Sequence, residues 1–276
     1  MHLTAAVELV NNLIEPQESS SCCTTPFVVI DEPKEPLHMY QKYTQAIPFM
    51  LSIYLWFDTI SAASRGCRPL FNHHLLISSG QIHPENAMGC ETWALLLISE
   101  VSELQSWKED LKKRHELDVV QLISKGASIE RQLRERLDRV CDGELTPSSN
   151  LTSSSTSKIT KIFALSALTF LHVVILGAFP KLKQIMASVS RTIVALQSLG
   201  DHRLLRVLGW SICITGCMAL DEQQAGILDL VSRLDDDWNR PNLIGKILEE
   251  CWSRRASGEV CEWTCVMRER GFPALI

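Results

Sequence analysis

The sequence lacks the short motifs that mark the commonest catalytic sites. It contains no Gly-x-Ser-x-Gly elbow for a nucleophilic serine, no Walker-type phosphate loop and no Gly-x-Gly-x-x-Gly dinucleotide fingerprint. It also lacks convincing alternation of polar and apolar residues, which argues against β-strands, and no repeat recurs at a fixed period. We therefore expect a non-enzymatic protein and identify no catalytic residue, no cofactor-binding residue and no metal ligand.

Concentrated positive charge is scarce. The net charge is −5, and the isoelectric point is about 5.9. The only basic run, Lys112 to His115, is extended weakly by the arginines of 131–139, and acidic residues interleave with both. Because proteins that bind nucleic acid through their own surface usually carry a basic stripe, we interpret these residues as a solvated helix face.

A secretory signal is also lacking, since the residues after Met1 form neither a basic start nor a long apolar region. The ten cysteines occur in a chain too long to need disulfide staples. Cys213 and Cys217 lie inside an apolar run, where a free thiol behaves as a small hydrophobic group. We expect a reducing intracellular compartment, in which the sequon beginning at Asn150 is coincidental.

Apolar residues at three- and four-residue spacing predict a series of helices. The predicted helices are 40–64, 87–113, 129–140, 158–180, 182–199 and 204–220. The expected fold is all-α, an irregular multi-helix domain with long loops. Its N-terminal half covers 1–141 and includes a proline-rich loop at about 15–37. A Ser/Thr-rich linker at 142–157 separates it from the C-terminal half, 158–276.

Two apolar runs leave a membrane alternative open. Residues 162–179 carry no formal charge over 18 positions, which is the lower limit for a membrane span. Residues 204–220 are apolar on nearly every side and predict one enclosed helix. A two-span membrane protein would use both runs. We favour two buried helices of a soluble bundle, because His172 and Arg206 interrupt the runs, and we expect no membrane partner.

Two groups of cysteines and histidines contain residue types that bind metals. Cys213 and Cys217, with Cys261 and Cys265, form two pairs spaced four residues apart, and four thiolates could hold zinc. We expect core packing instead, because the first pair lies in a strongly apolar run. Cys67, His73, His74, His83 and Cys90 match no ligand spacing, so we interpret these histidines as surface loop residues.

An aspartate-rich segment supports the one enzymatic alternative. Asp235 and Asp236, with Asn239, resemble the magnesium motif of all-helical terpene synthases. That motif belongs inside a helix, whereas Arg240 and Pro241 would end a helix here at once. We therefore favour a polar loop between helices and treat the terpene-synthase-like enzyme as the alternative.

Four sequence blocks resemble a known family when taken in order. They are YLWFDTISAASRGCRPLF (54–71), ALTFLHVVILGAFPKLKQIMASVS (167–190), LLRVLGWSICITGCMALDEQQAGILDLV (204–231) and ILEECWSRRASGEVCEWTCVMRERGFPALI (247–276). Together they resemble the regulatory domain of fungal-specific transcription factors, which binuclear zinc cluster regulators with six cysteines carry. Ser211 departs from that pattern, because the family often has proline after the tryptophan.

The resemblance implies a nuclear domain that regulates transcription by RNA polymerase II. The family's six-cysteine cluster does not occur in this sequence, in which Cys22 and Cys23 are the only tight pair. We expect zinc and sequence-specific DNA contacts only through such a missing N-terminal module, lost from the gene model or in evolution. The resemblance also leaves open a homodimer, a coregulator protein or an unknown small-molecule effector as partner.

Overall fold

The computed structural model describes residues 37–78, 82–143, 151–234 and 243–271, and within these ranges it contains helices and no β-strand. The α-helices, in chain order, are α1 (Leu37–Arg65), α2 (His73–Ser78), α3 (Pro84–Met88), α4 (Thr92–Arg114), α5 (Val119–Gly143), α6 (Leu151–Leu176), α7 (Lys183–Gln197), α8 (Gly209–Cys217), α9 (Asp221–Ser232), α10 (Leu243–Ala256) and α11 (Trp263–Arg270). A 3-10 helix, His202–Leu208, precedes α8. The predicted all-α class is confirmed.

The chain divides into two compact units, Met1–Pro48 and Phe49–Ile276. Pro48 lies inside helix α1. Gly66 follows the last residue of α1 with a left-handed φ of 64°, a conformation that glycine adopts without strain. All but the last residue of the predicted loop at 15–37 lies outside the described residues. The predicted halves 1–141 and 158–276 both contribute helices to the second unit.

Helix α6 is the centre of the second unit. It packs against α4, α5, α7 and α8. Its segment Ser155–Leu176 is apolar and long enough to span a membrane, yet 83% of that window is buried inside the protein. The segment Ile47–Arg65 passes the same test of length and composition with 50% burial. Packing by neighbouring helices thus explains the apolarity of α6, and the two-span alternative is not favoured.

A chain of ring contacts connects α6 to three other helices. Phe163 contacts Trp56 of α1 at 4.8 Å between centroids and stacks near Trp210 of α8 at 6.0 Å. Phe170 contacts the same Trp210 at 6.1 Å and Trp263 of α11 at 5.6 Å. Such pairs contribute about 0.5–1.5 kcal/mol each beyond their area burial. One aromatic core therefore joins helices that are far apart in the sequence.

Of the predicted Ser/Thr-rich linker at 142–157, residues 142–143 and 151–157 are helical in the described part of the chain. Helix α5 continues to Gly143 and α6 begins at Leu151, so that only residues 144–150 lie outside the described chain in this region. Serine and threonine are about 0.5 kcal/mol less favourable than alanine in a helix. That small cost is tolerated because tertiary packing of the following apolar turns stabilises the helix.

The apolar run 204–220 is not a single α-helix. Residues His202–Leu208 form the 3-10 helix, and α8 follows from Gly209. With three residues per turn, Arg203 and Arg206 share the exposed side while Leu205 and Leu208 share the buried side. The enclosed position that the run predicts is confirmed for α8, in which every residue from Trp210 to Cys217 is buried.

The predicted helix 87–113 is interrupted near its start. Gly89 takes a left-handed conformation with φ of 65° and ends α3, and α4 begins only at Thr92. The backbone N–H of Glu91, between the two helices, donates to Thr160 Oγ1 of α6 at 2.9 Å. A tertiary contact therefore holds the break, which the apolar spacing of the sequence does not reveal.

Candidate functional site

Asp58, Thr59 and His73 form a buried polar group, which we name the Asp58 clamp. The carboxylate of Asp58 accepts hydrogen bonds from the backbone N–H groups of Leu70 and Phe71. It also lies 3.0 Å from His73 Nε2. On the other side of the ring, His73 Nδ1 lies 3.2 Å from Thr59 Oγ1. His73 is therefore a buried helix residue, and its interpretation as a surface loop histidine is wrong.

The clamp has the acid–imidazole–hydroxyl order of a hydrolase triad, but its surroundings do not suit catalysis. Asp58, His73 and Thr59 are only 4%, 2% and 0% exposed. The Thr59 hydroxyl also contacts the backbone oxygen of Leu55 at 2.9 Å, as expected for a threonine inside a helix. This arrangement holds the segment after α1 against that helix.

The other residues of the loose histidine and cysteine group are not brought together. His74 pairs with Glu100 at 3.3 Å and His83 pairs with Glu85 at 3.1 Å, both near the surface. Cys90 is buried, and burial raises the pKa of its thiol. Among the described residues, no three His, Cys, Asp or Glu side chains converge as metal ligands would.

Four buried cysteines form a second group, which we name the thiol cluster. Its members are Cys213 and Cys217 of α8, Cys251 of α10 and Cys261, which precedes α11. The Sγ atom of Cys251 lies 3.6 Å from that of Cys217 and 3.8 Å from that of Cys261. Cys265 is only half-buried. The sequence pairing of Cys213 and Cys217 with Cys261 and Cys265 missed the central residue, Cys251.

The environment of the cluster keeps its thiols protonated. Burial raises the pKa of the Cys217 thiol well above its ordinary value. The hydrogen bond with Cys217, together with burial, raises the pKa of the Cys251 thiol, and the hydrogen bond with Cys251, together with burial, raises the pKa of the Cys261 thiol. The thiolate is the nucleophile and the zinc ligand, so the raised pKa values disfavour the reactive form of these sulfur atoms. The core packing that the sequence favours is consistent with this geometry.

Helix α10 covers the C-terminal end of α8 beside the cluster. Trp252 Nε1 donates to the backbone oxygen of Gly216 at 2.9 Å, and the Arg255 guanidinium donates to the backbone oxygen of Cys217. These bonds satisfy carbonyl groups that the end of a helix leaves without partners. A Cβ at Gly216 would lie 2.7 Å from a side-chain atom of Leu248, so glycine permits this approach without a shift of Leu248. The Gly-Cys and Cys-Trp blocks of the sequence are thus facing halves of one contact.

A groove with positive charge runs along α6 and α7. It has a volume of about 640 Å³. Lys158 and Lys161 of α6 and Arg191 of α7 line it, and we name it the cationic groove. A second depression, of about 440 Å³, lies between Phe179, Trp252, Arg255 and Val260. Both are open to solvent on the described surface, and the effector expected from the resemblance stays a prediction.

The segment that supported the enzymatic alternative cannot be compared with the structure, since Asp235, Asp236 and Asn239 lie outside the described residues. Asn150, of the sequon, also lies outside them. The basic run Lys112–Arg114 forms the exposed last turn of α4, where cations favourably face the helix C-terminus.

Comparisons with known proteins connect the chain to one family. The sequence profile of the fungal specific transcription factor domain matches residues 1–276. The trichothecene biosynthesis transcription regulator TRI10 of Trichoderma arundinaceum is 32% identical over 235 residues, which cover 83% of this chain and 50% of that regulator. TRI10 of Fusarium sporotrichioides is 26% identical over 292 residues, covering 100% of this chain and 67% of that protein.

A further relative is the transcription factor dibT of Pestalotiopsis microspora, 27% identical over 259 residues that cover 84% of this chain and 41% of dibT. The chain thus spans about half the length of the curated relatives it matches. No solved structure matches it. The profile match along the full sequence, with the motif blocks meeting in one helical core, shows that the chain belongs to the fungal-specific transcription factor domain family.

Proposed function

We propose that this chain is the regulatory part of a nuclear transcription factor that controls genes of a biosynthetic pathway. The observation that carries the proposal is the profile match over residues 1–276. Two of the relatives above are named as regulators of trichothecene biosynthesis, which supports a pathway-specific role. The domain acts by protein contacts, as a homodimer or with a coregulator, and performs no catalysis.

The experiment is deletion of the gene in the fungus that encodes it, followed by transcript sequencing. We expect altered transcript levels in a restricted set of pathway genes, and restoration by the reintroduced gene. Reintroduction with Trp210→Ala should fail, because this buried ring contacts both Phe163 and Phe170. Unchanged transcripts in the deletion strain would contradict the proposal.

Under this proposal, sequence-specific DNA contacts and zinc belong to a six-cysteine module that this chain does not contain. The purified chain should therefore bind less than stoichiometric zinc and should bind DNA weakly and without sequence preference. Gel-shift titration at increasing salt and metal analysis test both expectations. Salt-resistant, sequence-specific binding would contradict this division of roles, since non-specific contacts weaken steeply as salt rises.

A further inference from the structure

We propose that the cationic groove binds an acidic amphipathic helix of a partner protein. The groove lies between two consecutive helices joined by residues 177–182, so α6 and α7 are neighbours in an antiparallel hairpin. The hydrogen bond from Thr169 Oγ1 to Ser188 Oγ, 2.9 Å long, sets their register. In this register residues 158–165 of α6 lie beside the last turns of α7.

The lining residues of α6 recur at helical spacing and so share one face. Lys158, Lys161, Ile162 and Leu165 occupy positions i, i+3, i+4 and i+7. At a rise of about 1.5 Å per residue, they extend along about 10 Å of the groove. That length matches about two turns of a second helix lying along it.

Charge in the groove has one sign. Lys158 and Arg191 are exposed, and Lys161 is half-buried beside them. None of the described residues that line the groove carries a carboxylate. The whole chain has a net charge of −5, so the groove is not a consequence of a generally basic protein. Its complement is a partner surface with carboxylates, and such charge complementarity favours correct association over other partners.

The floor and rim of the groove favour a helix over a nucleic acid. Ile162 and Leu165 form a buried apolar floor, and the apolar side chain of Val194 projects from α7 with 65% of its surface exposed. An amphipathic helix would place its apolar stripe on Val194, above this floor, and its carboxylates on the flanking cations. A phosphate backbone would gain from the cations alone and would leave Val194 exposed.

The test is a fluorescence anisotropy titration of the 276-residue chain with a labelled synthetic helix. The probe has leucines at i, i+3 and i+7, glutamates on both flanks and alanine elsewhere. One control peptide has lysine in place of every glutamate, and a second has the same composition in scrambled order. We expect saturable binding of the acidic probe alone, weakening as ionic strength rises.

Charge-reversal variants test whether the probe binds in the cationic groove. The double variant Lys158→Glu with Arg191→Glu should bind the acidic probe at least about tenfold more weakly, since several exposed ion pairs together are worth about one factor of ten. It should also gain affinity for the lysine peptide. The matched control, Lys183→Glu with Arg203→Glu, makes the same charge change at exposed positions outside the groove lining and should bind like the unmodified chain.

The substitution Val194→Ser tests the apolar part of the site without changing the charge. It should weaken binding of the acidic probe severalfold, whereas a purely electrostatic site would be unaffected. Equal binding by the groove and control variants, no binding by the unmodified chain, or displacement of the probe by random-sequence DNA would each overturn the proposal. Circular dichroism melts check that each variant is folded. The gene-deletion result is independent of this site, so the two proposals can fail separately.

Discussion

The Asp58 clamp and the thiol cluster are both buried groups of potentially reactive side chains, but they are stabilised in opposite ways. In the clamp, one carboxylate meets two backbone N–H groups and a histidine ring. In the cluster, neutral sulfur atoms contact one another among apolar neighbours. The difference illustrates two ways to bury a potentially reactive side chain at low cost: its polar atoms are hydrogen-bonded, or the side chain is uncharged and packs among apolar groups. Neither condition by itself makes a catalytic site.

Of the substitutions in the clamp and the thiol cluster, Asp58→Ala should reduce the stability of the protein most. It leaves the buried donors of Phe71 and His73 without an acceptor, and we expect the free energy of unfolding to fall by about 3 kcal/mol or more. Urea denaturation followed by circular dichroism measures the loss. Asp58→Asn, which keeps the shape and one acceptor oxygen, should cost less. A loss equal to that of an exposed substitution would show that the clamp contributes nothing to stability.

The substitution Gly216→Val tests the close contact beside the thiol cluster. The added side chain would collide with Leu248 and Ile227, since a Cβ alone lies 2.7 Å and 2.8 Å from their atoms. We expect a loss of about 2 kcal/mol through overpacking. Gly200→Val is the control, because no atom lies within 4 Å of a Cβ at Gly200. Similar losses at both positions, measured by thermal melting, would argue against a specific contact.

The two regions should respond in opposite senses to polarity at constant size. In the cluster, Cys217→Ser should be less stable than Cys217→Ala by about 1 kcal/mol, because a hydroxyl is costly to bury without a good partner. In the clamp, Thr59→Val should be less stable than the unmodified chain by about 1 kcal/mol, since valine matches threonine in size but loses the bond to the Leu55 oxygen; Thr59→Ser, which keeps the hydroxyl, shows the cost of losing the methyl group alone. Chemical denaturation of the four variants checks both differences, and the same sign in both regions would contradict the distinction.

Raised thiol pKa values predict a smaller, pH-dependent effect confined to the cluster. Burial holds the folded pKa of the Cys217 thiol well above its ordinary value, while an unfolded thiol ionises near pH 8.5. At alkaline pH the unfolded state therefore binds fewer protons, and stability falls as pH rises. The expected loss is about 0.4 kcal/mol per thiol at pH 8.5.

The variant Cys217→Ala with Cys251→Ala serves as the control for this pH dependence. It should show a shallower decline in the free energy of unfolding between neutral and mildly alkaline pH. Denaturation curves collected across that range, before lysine and tyrosine ionise, give the slope. An identical slope in both proteins would mean that these thiols ionise equally in the folded and unfolded states.

The sequence predicts the core correctly where the apolar composition of a single helix is enough to indicate burial. The uncharged stretch inside α6 predicts a buried helix because nearly every position is apolar. The spacing of α8 residues predicts enclosure in the same way. The sequence predicts less where the environment of a side chain depends on residues far away in the chain. Cys251 gave no signal of its own, because its partners are 34 and 10 positions away.

His73 shows the same limit for a polar residue. In the sequence it stands in a loop-like stretch beside a second histidine, and nothing local separates the two. In the structure His73 is buried against Asp58, whereas His74 is exposed beside Glu100. The difference arises because α2 is oriented so that His73 faces α1 and His74 does not. The composition of the neighbouring residues does not indicate this orientation.

The amino-acid sequence by itself determined the all-α class, the buried character of α6 and α8, and the ordered motif blocks that connect this chain to its family. Local composition and helical periodicity are sufficient for these properties because they act within a few turns of one helix. The tertiary structure alone decided which cysteines meet, which histidine is buried, and where Lys158 and Arg191 come together across a groove. These properties depend on distances between separate helices, and packing sets those distances.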